Sequence, residues 1–153
     1  DKQIKDYAEA ASYNEKQQWA LAEVRQTVQI INDKRFKIGL ECYKLDEILS
    51  RVCVEHSNDM VKREFFSHKG SNGKGYEQRV RDAEWYGGTF GEVLYAGSII
   101  PRDVHNVWWK SEDSRPKLYT PHLDKIGIGI INKTWTVVVG SAYSGPDRHY
   151  IVE

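Results

Sequence analysis

Apolar positions recur along this chain first at helical spacing and later in alternation. Residues 14–37, NEKQQWALAEVRQTVQIINDKRFK, place Trp19, Leu21, Val24, Val28, Ile31 and Phe36 on one stripe, the period of an amphipathic helix. Asn14 with Gln17 three residues on reads as its N-terminal cap. Residues 45–66 repeat Leu45, Ile48, Leu49, Val52, Cys53, His56 and Met60 at the same spacing. This is the strongest amphipathic pattern in the chain, and GSNGKG at 70–75 breaks it off. YEQRVRDAEW at 76–85 reads as a short helix ended by Gly87 and Gly88, and PRDVHNVWWKS at 101–111 as a helix opened by proline. GEVLYAG at 91–97 fits a strand or a turn of helix. KIGIGII at 125–131 and TWTVVVGS at 134–141 are β-rich runs around Asn132-Lys133, a predicted hairpin. The tail RHYIVE, residues 148–153, has the composition of a further strand. Residues 1–12 are polar and read as a short helix or an arm, with 13–153 as one domain. Early helices and late strands predict an α+β fold with helices packed on a mainly antiparallel sheet.

Charge narrows the class of partner. Lys plus Arg and Asp plus Glu each number 22, so the formal net charge is zero. That balance gives no electrostatic reason for a nucleic-acid or anionic-membrane partner. No run approaches the ~18 apolar residues of a membrane span. The chain opens DKQIKDYAEA without an initiator Met. It reads as mature or trimmed, so the lack of a visible leader carries no information. Cys42 precedes the second helical pattern and Cys53 lies about two turns inside it. At ~1.5 Å rise per residue their Cα atoms are well beyond the ~7 Å reach of a disulfide, and two free thiols are expected.

The histidines and carboxylates acquire meaning from the motifs around them. NDKRFKIGLECYKLDEIL, HSNDM, FFSH, YEQRV, FGE, VWWKSEDSRPKLY and IGIGI follow one another in order, with a Trp-containing strand last. In this order and spacing the chain, over roughly residues 28–141, resembles the CAP superfamily (the SCP, or cysteine-rich secretory, antigen 5 and pathogenesis-related 1 domain) in its short bacterial form. The resemblance implies an α-β-α sandwich and a location outside the cytoplasm, as a secreted or outer-surface lipid-anchored protein with the anchor upstream of Asp1. It also implies a central cavity lined by two His and two Glu, which in some members hold a divalent metal.

Carried onto this sequence, the first histidine is His68 of FFSH and the first glutamate is Glu92 of FGE. The other two positions fall on Ser111, three residues after Trp108, and on Ser114 in place of the second histidine. Two good ligands are too few to close a zinc shell. The expectation is therefore a degenerate centre with no metal or other cofactor, His68 and Glu92 being at most weak metal candidates that hydrogen-bond each other or a water. Glu92 is followed by Val93 where the family usually has Asn. Only Glu112 and Asp113 separate the serines, so the long loop that carries sterol in larger members has no counterpart here.

Other candidates read as structural. His56 sits on the apolar stripe and is expected in the core. Arg79 is expected to bind carboxylates or carbonyls. Adjacent Trp108 and Trp109 must face different sides of their helix, one toward the core. Tyr86, Phe90, Tyr95 and Trp109 form a possible groove, with core packing the expectation for at least two of the first three. Asn132-Lys133-Thr134 matches a glycosylation triplet that is idle in a bacterium. No G-x-S-x-G or H-E-x-x-H stretch is present. The residues thus point to a non-enzymatic binding or interaction domain whose partner is an unknown protein or a small apolar or lipid ligand. The alternative is a metal-dependent hydrolase or protease using the residual His-Glu pair.

Overall fold

The computed structural model describes residues 1–142, so the possible strand at 148–153 lies outside the described residues. Its elements are α1 (Lys2–Glu15), α2 (Ala22–Lys37), β1 (Lys44–Leu45), α3 (Glu47–Lys62), α4 (Tyr76–Asp82), β2 (Gly88–Ala96), α5 (Pro101–Lys110), α6 (Ser114–Leu118), β3 (Lys125–Ile131) and β4 (Thr134–Ser141). The sheet runs in the order β1-β3-β4-β2, with β1 parallel to β3 and the other pairs antiparallel. Asn132 and Lys133 both take positive φ between β3 and β4, as the two central residues of a type I′ hairpin turn must.

Alternation along β3 builds two different layers. Ile126, Ile128 and Ile130 join Trp135, Val137 and Val139 of β4 against Val24, Val28 and Ile31 of α2, Val104 and Trp108 of α5, and Leu118 of α6. Gly127 and Gly129 face the other way, onto α3. A Cβ on Gly129 would stand 2.2 Å from the Val54 backbone nitrogen, and one on Gly127 2.4 Å from the Leu49 carbonyl carbon. The helix backbone therefore lies directly on the strand. Small side chains make this possible on the α3 side: Ser57 donates to the Gly129 carbonyl at 3.0 Å, and Ser50 accepts from the Ile128 amide at 3.2 Å. Leu49, Val52 and Cys53 of α3, Val80 of α4, Trp85 and Val138 of β4 fill the rest of this layer. Helices thus cover both faces of one sheet, an α-β-α sandwich.

Several boundaries differ from those read in the sequence. Asn14 caps nothing; it is buried in the last turn of α1, and α2 begins at Ala22. Its amide donates to the Tyr43 carbonyl and accepts from the Leu45 amide, tying α1 to β1. The polar first residues are part of that 14-residue helix. Asp46 caps α3, accepting from the Leu49 amide at 2.9 Å. The helix ends at Lys62, before the glycine-rich run, where Glu64 turns left-handed. Residues 91–96 belong to strand β2, not to a helix. Cys42 and Cys53 are buried and unbridged.

Arg35 was not singled out by periodicity, yet it is fully buried. Its guanidinium donates to the carbonyls of Glu41, Leu118, Thr120 and Leu123 and lies over the Tyr43 ring. It fastens the segment after α6 to α2.

Candidate functional site

The site is assembled by the segment between α3 and α4 and by the middle of β2. His56 near the end of α3 donates its Nε2–H to the Ser67 carbonyl at 2.8 Å; a carbonyl can only accept, which fixes the proton on Nε2. Asp59, one turn on, accepts from the amide and hydroxyl of Ser71. Arg79 of α4 donates to the His68 carbonyl at 3.0 Å and the Lys74 carbonyl at 2.8 Å. Three side chains thus shape residues 67–74 and hold His68 over β2.

Glu92 faces this segment. It stands opposite Val138, in the α3–α4 layer. Its side chain is 1% exposed, and both carboxylate oxygens are engaged. His68 Nδ1 donates to Oε1 at 2.9 Å, and Arg79 donates to Oε2. Arg79 is itself 11% exposed, whereas His68 is 54% exposed. The arrangement is a buried carboxylate held by a buried guanidinium, with an imidazole at the solvent side. Burial, with the Arg79 charge next, holds His56 below its usual pKa, so it stays neutral beside that guanidinium.

Ser111 and Ser114 are placed differently. Ser111 caps the end of α5 and Ser114 opens α6, and the Ser111 hydroxyl accepts from the amides of Asp113 and Ser114. Among the described residues no hydrogen bond joins either serine to His68 or Glu92. The neighbour α6 does send is Lys117, one turn after Ser114, whose ammonium donates to the Glu92 backbone carbonyl at 3.2 Å and to Asp113. Spacing of three on a helix is the signal that links Ser114 and Lys117; the family pattern drew attention to the serine alone. Among the described residues no group of three or more His, Cys, Asp or Glu is placed to hold a metal.

The four aromatic candidates do not converge. Trp109 packs against the edge of Tyr119, with Lys34 and Arg115 over its ring at 4.6 and 4.3 Å. Trp108 is buried in the core, as adjacency on a helix required. Tyr95 packs partly against the same core. Tyr86 and Phe90 are 71% and 47% exposed, which overturns core packing for two of the three residues around Glu92; among the described residues β2 is an edge strand. His105 of α5 is buried and hydrogen-bonded to the Tyr119 hydroxyl. Burial, with the Lys34 charge, lowers its pKa to about 4.

Comparison with known proteins adds the family. The model of the CAP family, described as the cysteine-rich secretory protein family, matches residues 28–141. The YkwD protein of Bacillus subtilis (strain 168) is 29% identical over 115 residues, 73% of this chain and 44% of that protein. An extracellular protein containing an SCP domain from Bacillus anthracis superposes with a TM-score of 0.72 at 23% identity, over 76% of this chain and 39% of the other. An outer surface protein of Borrelia burgdorferi gives 0.72 at 21% identity, over 78% and 92%. The chain therefore spans less than half the length of the two Bacillus proteins, and the structural likenesses speak for the fold. A family match over about three quarters of the sequence, on an α-β-α sandwich that brings His68 to Glu92, places the chain in the CAP family.

Proposed function

We propose that this CAP domain works outside the cytoplasm, secreted or held at the cell surface, as a binding or interaction module without catalysis at the His68–Glu92 centre. The observation that carries this reading is the double engagement of Glu92. A ligand for a divalent ion must offer free lone pairs and tolerate the ion's charge. Here one oxygen faces the cationic Arg79, the other takes the His68 N–H, and Lys117 stands on the backbone carbonyl of the same residue. A metal at Oε2 would have to displace the Arg79 guanidinium, and one at Oε1 the His68 N–H, so the residues do not fit that role. A general base is equally poorly served, because both carboxylate oxygens are already engaged by side-chain donors. The extracellular and outer-surface descriptions of the structural relatives support the location, and among the described residues no helix is long and apolar enough to cross a membrane. Exposed Phe66, Tyr86 and Phe90 supply apolar contact area for a protein or small apolar ligand.

Calorimetric titration of zinc, with peptidase and esterase assays on the same protein, tests the reading. No stoichiometric zinc binding and no turnover are expected. Stoichiometric zinc, or turnover, abolished by His68→Ala would establish the residual centre as functional and overturn the proposal.

A further inference from the structure

A polar cleft of about 330 Å³ opens on the far side of Arg79 from Glu92, between the second half of α3, the 70–74 loop and α4. Its charges are nearly all committed to one another. Arg63 pairs with Asp59 at 2.9 Å and Lys74 with Asp82 at 2.6 Å, while Arg79 pairs with Glu92 behind the wall. Three lining cations are therefore neutralised in place, and an ionic ligand would have to break a pair to be held.

What remains uncommitted is hydrogen-bonding capacity of mixed sign. His56 is 1% exposed, and among the described residues its Nδ1 has no partner; neither does the buried Nε of Arg79, and both residues line the cleft. Because the His56 proton sits on Nε2, facing the Ser67 carbonyl, Nδ1 is an acceptor, whereas Arg79 Nε–H is a donor. An unspent buried donor and an unspent buried acceptor in the wall of one cleft are each costly, and a hydroxyl can accept from the guanidinium and donate to the imidazole. Farther out, the Asn58 amide and the Asn72 side-chain nitrogen add donors, and the Glu55 carboxylate, unpaired among the described residues, adds an acceptor. At about 330 Å³ the cleft has room for a hexose-sized polyol together with bound water.

We propose that this cleft binds a neutral, polyhydroxylated ligand of monosaccharide size, with one hydroxyl bridging His56 Nδ1 and Arg79 Nε. Among the described residues no aromatic ring other than the imidazole of His56 lines it, so they offer no stacking platform and binding is expected at about millimolar concentration.

Histidine side-chain and backbone ¹H–¹⁵N spectra of the labelled protein, titrated with glucose, N-acetylglucosamine and myo-inositol, test the proposal. Inorganic phosphate and calcium serve as ionic probes. The expected result is a neutral His56 protonated on Nε2, saturable shifts of its Nδ1 and of the 70–74 amides with at least one polyol, and weakening of at least threefold in the surface variants Asn58→Ala and Asn72→Ala. Absence of shifts with all three polyols leaves a merely hydrated cleft and overturns the proposal. So do a proton on Nδ1, saturation confined to amides elsewhere, or tighter binding of phosphate or calcium at these residues.

Discussion

Arg79→Ala should destabilise the protein far more than His68→Ala, although His68 is the residue the family pattern singles out. The Glu92 carboxylate is 1% exposed and has two side-chain partners. Removing Arg79 leaves a buried charge with a single half-exposed imidazole, and stranding one member of a buried pair costs about 3–5 kcal/mol. The carbonyls of His68 and Lys74, which Arg79 also bonds, lie near solvent and add little, because water replaces the lost donor. Removing His68 deletes one hydrogen bond at the solvent side of Glu92, and its cost is about 1 kcal/mol. In a domain of this size 1 kcal/mol moves Tm by roughly 2–4 °C, so Arg79→Ala should fall about 10 °C and His68→Ala about 3 °C. Urea unfolding followed by tryptophan fluorescence and by far-UV circular dichroism gives the free energies. A double-mutant cycle with Glu92→Gln isolates the pair, and coupling above ~1.5 kcal/mol is expected. Equal losses for Arg79→Ala and His68→Ala, or coupling near zero, would show that Glu92 is not held by the guanidinium and would refute the reasoning.

Gly129→Ala should cost at least ~3 kcal/mol, since its Cβ would meet the α3 backbone at 2.2 Å and overpacking against backbone has no rotamer to escape into; an unchanged urea midpoint would mean that α3 lifts off the sheet freely. Ile128→Ala, from the opposite face of the same strand, should cost about 2–5 kcal/mol as a cavity, read in the same titration. Ellman's reagent should find two thiols in denatured, unreduced protein and almost none in the native state. Burial pushes Cys42 up to about 12 and Cys53 well above its usual value, and the thiolate is the reactive form; fast native reaction would contradict their burial. Stability should fall as pH drops below about 6.5, the ordinary histidine value: the unfolded chain protonates His56 and His105 there, whereas the fold resists until lower pH, about 4 for His105. The urea midpoint should therefore be lower at about pH 5 than at pH 7 and less pH-dependent in His105→Gln, and a flat wild-type profile would count against the buried neutral imidazoles.

The fold was legible where local period and tertiary burial agree. The hairpin announced itself through alternation and a turn dipeptide, and α5 through its proline and paired tryptophans. The misreadings share a cause. Asn14 has the chemistry of a cap and was read as one, but its amide serves two backbone groups of β1 across the fold. Ser50 and Ser57 are polar and fell off the stripe drawn through α3, although they lie against the sheet because glycines opposite bring the backbones together. A period counts apolar residues. It does not register a layer made of glycine and serine.

The site divides along the same line. That His68 meets Glu92 followed from motif order, and the 2.9 Å bond between them agrees with it. Who owns Glu92 did not follow, because a carboxylate's chemistry is set by the charges facing it in three dimensions. Arg79 is 13 residues from Glu92 and reaches it from another layer element, while Lys117 comes from the opposite side of β2. Neither distance along the chain carries a signature. The same guanidinium also closes the polar cleft behind it, so one side chain separates two compartments. On one side it neutralises the carboxylate that a metal-dependent centre would need, and on the other its Nε–H, without a partner among the described residues, belongs to the same cleft wall as His56. The arginine read in the sequence as a structural one is therefore the residue that sets the charge facing Glu92.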